Sequence, residues 1–215
     1  IAVLRKCAAM TADIALSLRN ITKQYPGVLA LDNVSLAFEV GEVHALLGEN
    51  GAGKSTLIKA IAGAIDVDSG IIQIAGHEYT KMTPHIARSL GIEVIYQEFN
   101  LVPSLSVAEN IFLGDRTGKG LLIDRKLMVK RASDVFQEFN VRIDPLALLR
   151  DLPPAQQQIV EIAKAVTKRV KLLIMDEPTA PLTVHEVDSM FEIVRRLKQA
   201  GVTIIYISHR LEEIF

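Results

Sequence analysis

The chain has 215 residues, enough for one domain with a sizeable core and room for a subdomain. Its 24 basic and 25 acidic residues leave a net charge of -1, which offers no basic field for nucleic acid and no polybasic arm for a membrane surface. A single cysteine, Cys7, excludes an internal disulfide framework and fits a reducing compartment, and no apolar run nears the ~20 residues needed to span a bilayer.

The opening "IAVLRKCAAM" puts its charges after a short apolar run, which makes a poor signal peptide. Met10 reads as a natural start, so residues 1–9 are expected to be a vector-derived or disordered leader, with one domain over 10–215. "IALSLRNI" (14–21) and "VSLAFEV" (34–40) alternate apolar and polar residues, as half-buried strands do. "EVHALLG" (42–48) is a more fully apolar strand, and His44 within it is expected to be a core or subdomain-contact histidine. "KSTLIKAIAGAI" (54–65) has helical spacing, and "GIIQIAG" and "GIEVIYQ" read as strands. Strand signals then vanish over a helical stretch, "SVAENIFLG", "DRKLMVKRASDVFQEF" and "AQQQIVEIAKAV", giving a helical subdomain at about 100–168. After it come the buried strand "KLLIMDE", the amphipathic helix "TVHEVDSMFEIVRRLKQA" and the buried strand "GVTIIYISH". The expected class is α/β: a parallel sheet core, an antiparallel β portion near the start and an inserted helical portion. "RLEEIF" stops inside what reads as an uncapped helix, so a longer natural polypeptide is expected. A mean hydropathy of +0.27 without a spanning segment hints at apolar surface kept for a partner.

"GENGAGKST" (48–56) matches G-x-x-x-x-G-K-[ST] between an apolar strand and a helix, the context that motif requires. Its glycines let backbone N–H groups turn inward as an anion site at a helix N-terminus. Nucleotide contacts are expected from Gly48, Asn50, Gly51, Ala52, Gly53, Lys54, Ser55 and Thr56. Lys54 would reach the β- and γ-phosphates, and the Ser55 hydroxyl would ligate Mg²⁺. "KLLIMDEP" (171–178) ends an apolar strand in two carboxylates. Asp176, at the strand's C-terminal edge, sits where phosphate-bound Mg²⁺ collects. Adjacent residues on a strand point to opposite sides, which frees Glu177 to polarise the attacking water.

These motifs and the helical interval between them make the chain resemble the ATP-binding cassette family over nearly all of residues 14–215. "GEVHALLGENGAGKSTLIKAIAG", "YQEFNLVPSLSVAENIFLG", "VEIAKAV" and "LIMDEPTAPLT" look like the N-terminal cassette of bacterial monosaccharide importers, where two cassettes usually lie in tandem. The resemblance implies a P-loop core whose cofactors are ATP and Mg²⁺. It implies that Tyr25, in "KQYPGVLAL", stacks on adenine, and that Gln97 touches Mg²⁺ and water and opens the segment facing membrane subunits. It also implies that His209, ending "IIYISH", is the switch histidine at the γ-phosphate.

Two departures from the family pattern stand out. The signature Leu-Ser-Gly-Gly-Gln is here Leu152, Pro153, Pro154, Ala155 and Gln156. Pro153 replaces the serine whose hydroxyl would bond a γ-phosphate, Pro154 lacks an N–H, and Ala155 replaces a glycine of close approach. As local structure the change is harmless, because proline is welcome at a helix start. The family's Ser-Ala-Leu-Asp is altered to Ala180, Pro181, Leu182 and Thr183, which puts coupling between two cassettes in doubt. In the family it resembles, ATP sits between one cassette's phosphate loop and the other's signature, so the lesion would fall on the nucleotide held by the partner.

The function implied is an ATP-hydrolysing subunit, peripheral on the cytoplasmic face of the cell membrane, that energises import of a small sugar. Its partners would be a second cassette, membrane-spanning permease subunits and a periplasmic or extracellular sugar-binding protein. Two alternatives remain open: a regulatory cassette that closes on ATP with little hydrolysis, and a soluble nucleic-acid cassette. The latter is disfavoured by near-neutral charge and by the absence of a sustained heptad between Thr56 and Asp176.

Overall fold

The structure is a computed structural model that describes residues 2–4, 13–49, 51–114 and 124–208. Two compact units share the chain. The first comprises Ile1–Val94, Val170–Glu177 and Leu197–Phe215; the second comprises Ile95–Arg169 and Pro178–Arg196.

The first unit carries β1 (Ala2–Leu4), β2 (Ile14–Tyr25), β3 (Val28–Glu39), β4 (Val43–Leu47), α1 (Lys54–Ile61), β5 (Ser69–Ile74), β6 (His77–Tyr79), α2 (Pro84–Ser89) and β7 (Ile92–Ile95). Later in the chain it adds β8 (Leu172–Asp176) and β9 (Thr203–Ile207). Two sheets result, one in the order β1-β4-β9-β8-β7 and one in the order β3-β2-β5-β6.

In the first sheet β4, β9 and β8 run parallel, and β1 pairs antiparallel with β4. Parallel strands are covered on both faces and so read as continuous apolar runs. All five residues of β9 are buried, and Leu173, Ile174 and Met175 of β8 are fully so. The second sheet is antiparallel throughout. Alternation along β2 turns Leu16 and Leu18 into its core against Phe38 and Ile72. His44 is the core histidine expected: its Nε2 accepts the Glu39 N–H at 2.9 Å and its ring meets Phe38 edge-on, with centroids 5.3 Å apart.

Several boundaries differ from the sequence reading. β2 and β3 extend to a tight hairpin, Tyr25 opposite Val28, through Pro26 and Gly27, whose φ is 78°. The helix expected over 54–65 stops at Ile61. There Gly63 adopts φ 70°, its N–H reaches Ala60 O at 3.1 Å, and Ala64 N–H reaches Lys59 O at 2.8 Å. This Schellman pattern closes the last carbonyls of α1, and a Cβ on Gly63 would meet the Thr83 carbonyl carbon at 2.3 Å. The strand expected over 91–97 ends at Ile95, short of Gln97. Strand β6 and helix α2 were absent from the sequence reading, although Thr83 caps α2 through Ile86 N–H with Pro84 in the first turn. Ala2–Leu4, inside the expected leader, forms β1; residues 5–12 lie outside the described residues.

The second unit is helical. It holds α3 (Val107–Ile111), α4 (Arg125–Glu138), a single 3-10 turn (Leu149–Asp151), α5 (Pro154–Val166) and most of α6 (Val184–Gln199). Val107, Ile111, Met128, Phe136, Val160 and Ile162 form its buried core. A capping box starts α3: Ser106 Oγ accepts Glu109 N–H at 3.2 Å while the Glu109 carboxylate accepts Ser106 N–H at 2.9 Å. Fully buried Asn110 accepts Val102 N–H at 2.7 Å and donates to the Val102, Leu105 and Ser106 carbonyls, fixing the turn before α3. Among the described residues no helix is long and apolar enough to cross a membrane.

Candidate active site

Register lines up the ends of three neighbouring strands. Leu46 of β4 pairs with Ile207 of β9, which pairs with Asp176 of β8. With strands ~4.8 Å apart, the chain leaving β4 and the carboxylate ending β8 lie at one C-terminal edge, about 10 Å apart across it. That edge is where α/β folds gather ligands.

The loop leaving β4 turns on Gly51 and Gly53, with φ of 84° and 85°, conformations that L side chains rarely adopt. Ala52 N–H closes the turn on Glu49 O at 3.1 Å, and Gly53 is the N-cap of α1 without a side-chain cap bond. The first amides of the helix are therefore left for an external acceptor. Gly53 also has no room for a side chain, since a Cβ would lie 2.3 Å from Ala30 O. Lys54 is buried at 8% exposure, and its Nζ donates to Gly48 O at 2.5 Å and Glu49 O at 3.0 Å. The ammonium thus sits within its own loop, held by carbonyls that an anionic ligand can replace. Ser55 is exposed on the first turn of α1, beside half-buried Thr56.

Burial, and then the neighbouring Glu177 charge, push the Asp176 carboxyl above its usual range, while Lys54 and Lys59 pull the other way. A carboxylate desolvated in this way gains from a bound cation. Glu177 has a φ of 49°, outside the strand region, and its N–H donates to Ile207 O at 3.0 Å. The left-handed turn takes the chain at Glu177 off the extended path that carries Asp176. Ser208, buried, is the last described residue beyond β9; His209 and Asn50 lie outside the described residues. Tyr25 is exposed at the end of the β2–β3 hairpin in this same unit.

In the second unit Gln97 is exposed on the bend after β7. Three residues later, both polar atoms of the Asn100 peptide are gripped by α5. Asn100 N–H donates to the Glu161 carboxylate at 3.1 and 3.2 Å, and Lys164 Nζ donates to Asn100 O at 2.6 Å. Burial pushes the Glu161 carboxyl up, against the Asn100 bond and the charges of Lys164 and Lys168. Sequence reasoning missed this pair, because an i, i+3 Glu–Lys spacing on a helix usually marks a solvated face.

The start of α5 is sound as local structure. Pro154 occupies its first turn after the N-cap Pro153, and the Gln156 and Gln157 amides close on Pro153 O at 3.0 and 3.1 Å. Neither proline has an N–H to offer a ligand. Where the family pattern has an aspartate, Thr183 opens α6: its N–H and hydroxyl both donate to the Glu186 carboxylate, at 2.8 and 2.7 Å.

Residues 31–180 match the ABC transporter family. The chain is 52% identical over 199 residues to a ribose import ATP-binding protein RbsA 1 of Rubrobacter xylanophilus, covering 93% of this chain and 40% of that protein. It is 45% identical over 199 residues to the galactose/methyl galactoside import ATP-binding protein MglA of Fusobacterium nucleatum, again 93% and 40%. The chain thus spans about two fifths of the length of the relatives it matches. Among solved structures, a nucleotide-free ATP-binding cassette from an ABC transporter superposes with a TM-score of 0.83 at 26% identity, covering 94% of this chain and 83% of that one. The ADP conformation of an ABC-transporter cassette gives 0.83 at 28%, with the same coverage. The α/β class with its antiparallel sheet and helical portion is that of these cassettes, and the chain belongs to the ABC transporter family.

Proposed function

We propose that this chain binds and hydrolyses ATP to energise import of a small sugar through partner membrane subunits. The observation that carries the reading is the level strand edge: a glycine-turned phosphate loop holding a buried lysine, with Asp176 and Glu177 on the same edge. The relatives' names, ribose import and galactose/methyl galactoside import, support the sugar.

In this reading the amides from Gly48 to Thr56, Asn50 and Ala52 included, cradle the phosphates, and Lys54 exchanges its two loop carbonyls for phosphate oxygens. Tyr25 carries the adenine. Ser55, Asp176 and Gln97 are the protein oxygens offered to Mg²⁺. Ser55 and Asp176 of the first unit fit such an ion, because Mg²⁺ takes one or two protein oxygens beside substrate phosphates and waters, and the desolvated Asp176 is relieved by a cation. When bound, the ion supplies charge neutralisation across the phosphates. Glu177 orients the attacking water, a role worth about 10²–10⁴ in rate, and His209 contacts the γ-phosphate. Residues 152–156 face the nucleotide held by a second cassette, and loss of the serine hydroxyl and backbone donors there removes about 1–3 kcal/mol per missing bond to charged phosphate.

The further partners are permease subunits and a sugar-binding protein, which would hold this chain at the cytoplasmic face of the cell membrane. A second reading, a cassette that closes on ATP with little hydrolysis, is favoured by one feature: both prolines of the altered signature lack an N–H. Reconstitution with the permease in liposomes separates the two. ATP turnover stimulated by ribose or galactose and lost in Glu177→Gln supports the first; sugar uptake untouched by Glu177→Gln contradicts it.

A further inference from the structure

The tip of the β2–β3 hairpin carries apolar surface that packing leaves uncovered. Tyr25, Val28 and Leu29 are 38%, 59% and 51% exposed. The tip borders the phosphate loop: Leu29 and Ala30 line an open cavity of about 460 Å³ together with Gly51 and Ala52. An exposed apolar group beside an anion site fits a ligand with one flat apolar end and one phosphorylated end.

What holds the tip in place comes from a distant part of the sequence. Asp68 grips the end of β2 at three successive residues. Its N–H donates to Thr22 O at 2.9 Å, its Oδ1 pairs with Lys23 Nζ at 2.9 Å, and its Oδ2 accepts Gln24 N–H at 2.7 Å. Lys23 Nζ in turn lies over the Tyr25 ring, 5.6 Å from its centroid, within the range of a cation–π contact. The register of β2 on β3 shifts between Ile21 and Lys23 and again between Lys23 and Gln24. Sheet pairing alone therefore fixes the tip poorly, and a slip there re-aims every side chain beyond it. The Lys23 bond, and then the Gln24 amide, hold the Asp68 carboxyl below its usual range, so the grip is ionised at neutral pH.

We propose that Asp68 is a positioning residue for the nucleotide base: through Lys23 and the Gln24 amide it fixes Tyr25 as a stacking platform for the adenine ring. The inference rests on the nucleotide reading above and deepens it. Asp68 touches no ligand in this scheme. It removes the freedom that Tyr25 would otherwise lose on binding, which is how preorganisation raises affinity. The phosphates are bound by other groups, so their affinity is independent of Asp68.

The test is equilibrium binding of ATP and of inorganic tripolyphosphate, each with Mg²⁺, to the protein and to Asp68→Asn, Asp68→Glu, Lys23→Met and Tyr25→Ala. Asp68→Asn and Lys23→Met weaken ATP binding about two- to tenfold and leave tripolyphosphate binding unchanged, while Asp68→Glu recovers part of the loss. On a Tyr25→Ala background, Asp68→Asn has no further effect. Lys23→Met keeps the apolar stem and the hairpin, so the inference stays exposed to refutation if Asp68→Asn fails to fold. Wild-type ATP affinity in both variants overturns it, as does an equal loss for ATP and tripolyphosphate. An unaltered protein that binds neither ligand overturns the nucleotide reading itself, and this inference with it.

Discussion

Glu177 keeps a positive φ that any ordinary residue would avoid, at a cost of about 1–3 kcal/mol for a non-glycine backbone. Its amide bond to Ile207 O holds that turn closed, tying the direction of the side chain to the strand beside it. Replacing Glu177 by Gln leaves the turn and removes only the charge. Steady-state turnover should then fall by about 10²–10⁴ with ATP binding retained. Gly53 is constrained in a different way, by both its φ of 85° and the 2.3 Å approach of a Cβ to Ala30 O. Gly53→Ala should lower the urea midpoint by an amount equivalent to about 1–3 kcal/mol and abolish ATP binding, whereas Gly201→Ala, with a similar φ of 84° but open space around its Cβ, should lower the midpoint and leave ATP binding in place.

Helix ends carry the next set of expectations. Ser106 holds the Glu109 carboxyl below the usual carboxylate range, first through its amide and then through its hydroxyl. A lowered value means the unfolded chain binds the proton more readily. The box therefore contributes fully above the ordinary carboxylate value and is lost as pH falls through the folded one. Urea midpoints of the wild type and Glu109→Ala should differ most at neutral pH and converge below pH ~4. At the head of α6, Thr183→Ala should cost about 1 kcal/mol by the same measurement.

The strands of the parallel sheet and the long helices were legible because their apolar periods are strong, as in "KLLIMDE" and "GVTIIYISH". Helix α1 was overdrawn because Ile65 continues the apolar spacing past Gly63, whose left-handed turn the period cannot register. The hairpin was cut short because "TKQYPG" is polar where β2 rests on bulged pairing. In the site, the phosphate loop and Asp176 could be read from local order alone. Asp68 on the tip of β2 and Glu161 on the Asn100 peptide could not, since each acts on residues 44 to 61 positions away and has no local spacing to reveal it.

The chain offers one phosphate loop and one altered helix start, and in the proposed function these serve two different nucleotides. In that proposal the signature completing its own site would come from a second cassette, so the protein taken alone should bind Mg-ATP yet turn it over slowly. Adding a cassette with an intact Leu-Ser-Gly-Gly-Gln should raise turnover at this chain's loop, and Glu177→Gln should cancel the gain. Restoring Pro153→Ser and Pro154→Gly in this chain should instead raise turnover of the partner's nucleotide.

Whether this loop holds nucleotide through its buried lysine is read from calorimetric titration of ATP into the protein and into Lys54→Ala, with and without Mg²⁺. One saturable site is expected, tightened by Mg²⁺ and weakened at least about tenfold in Lys54→Ala, since the buried ammonium is held inside the loop by its carbonyls. Equal ATP binding by the wild type and Lys54→Ala, or no binding at all, would contradict that role of the loop.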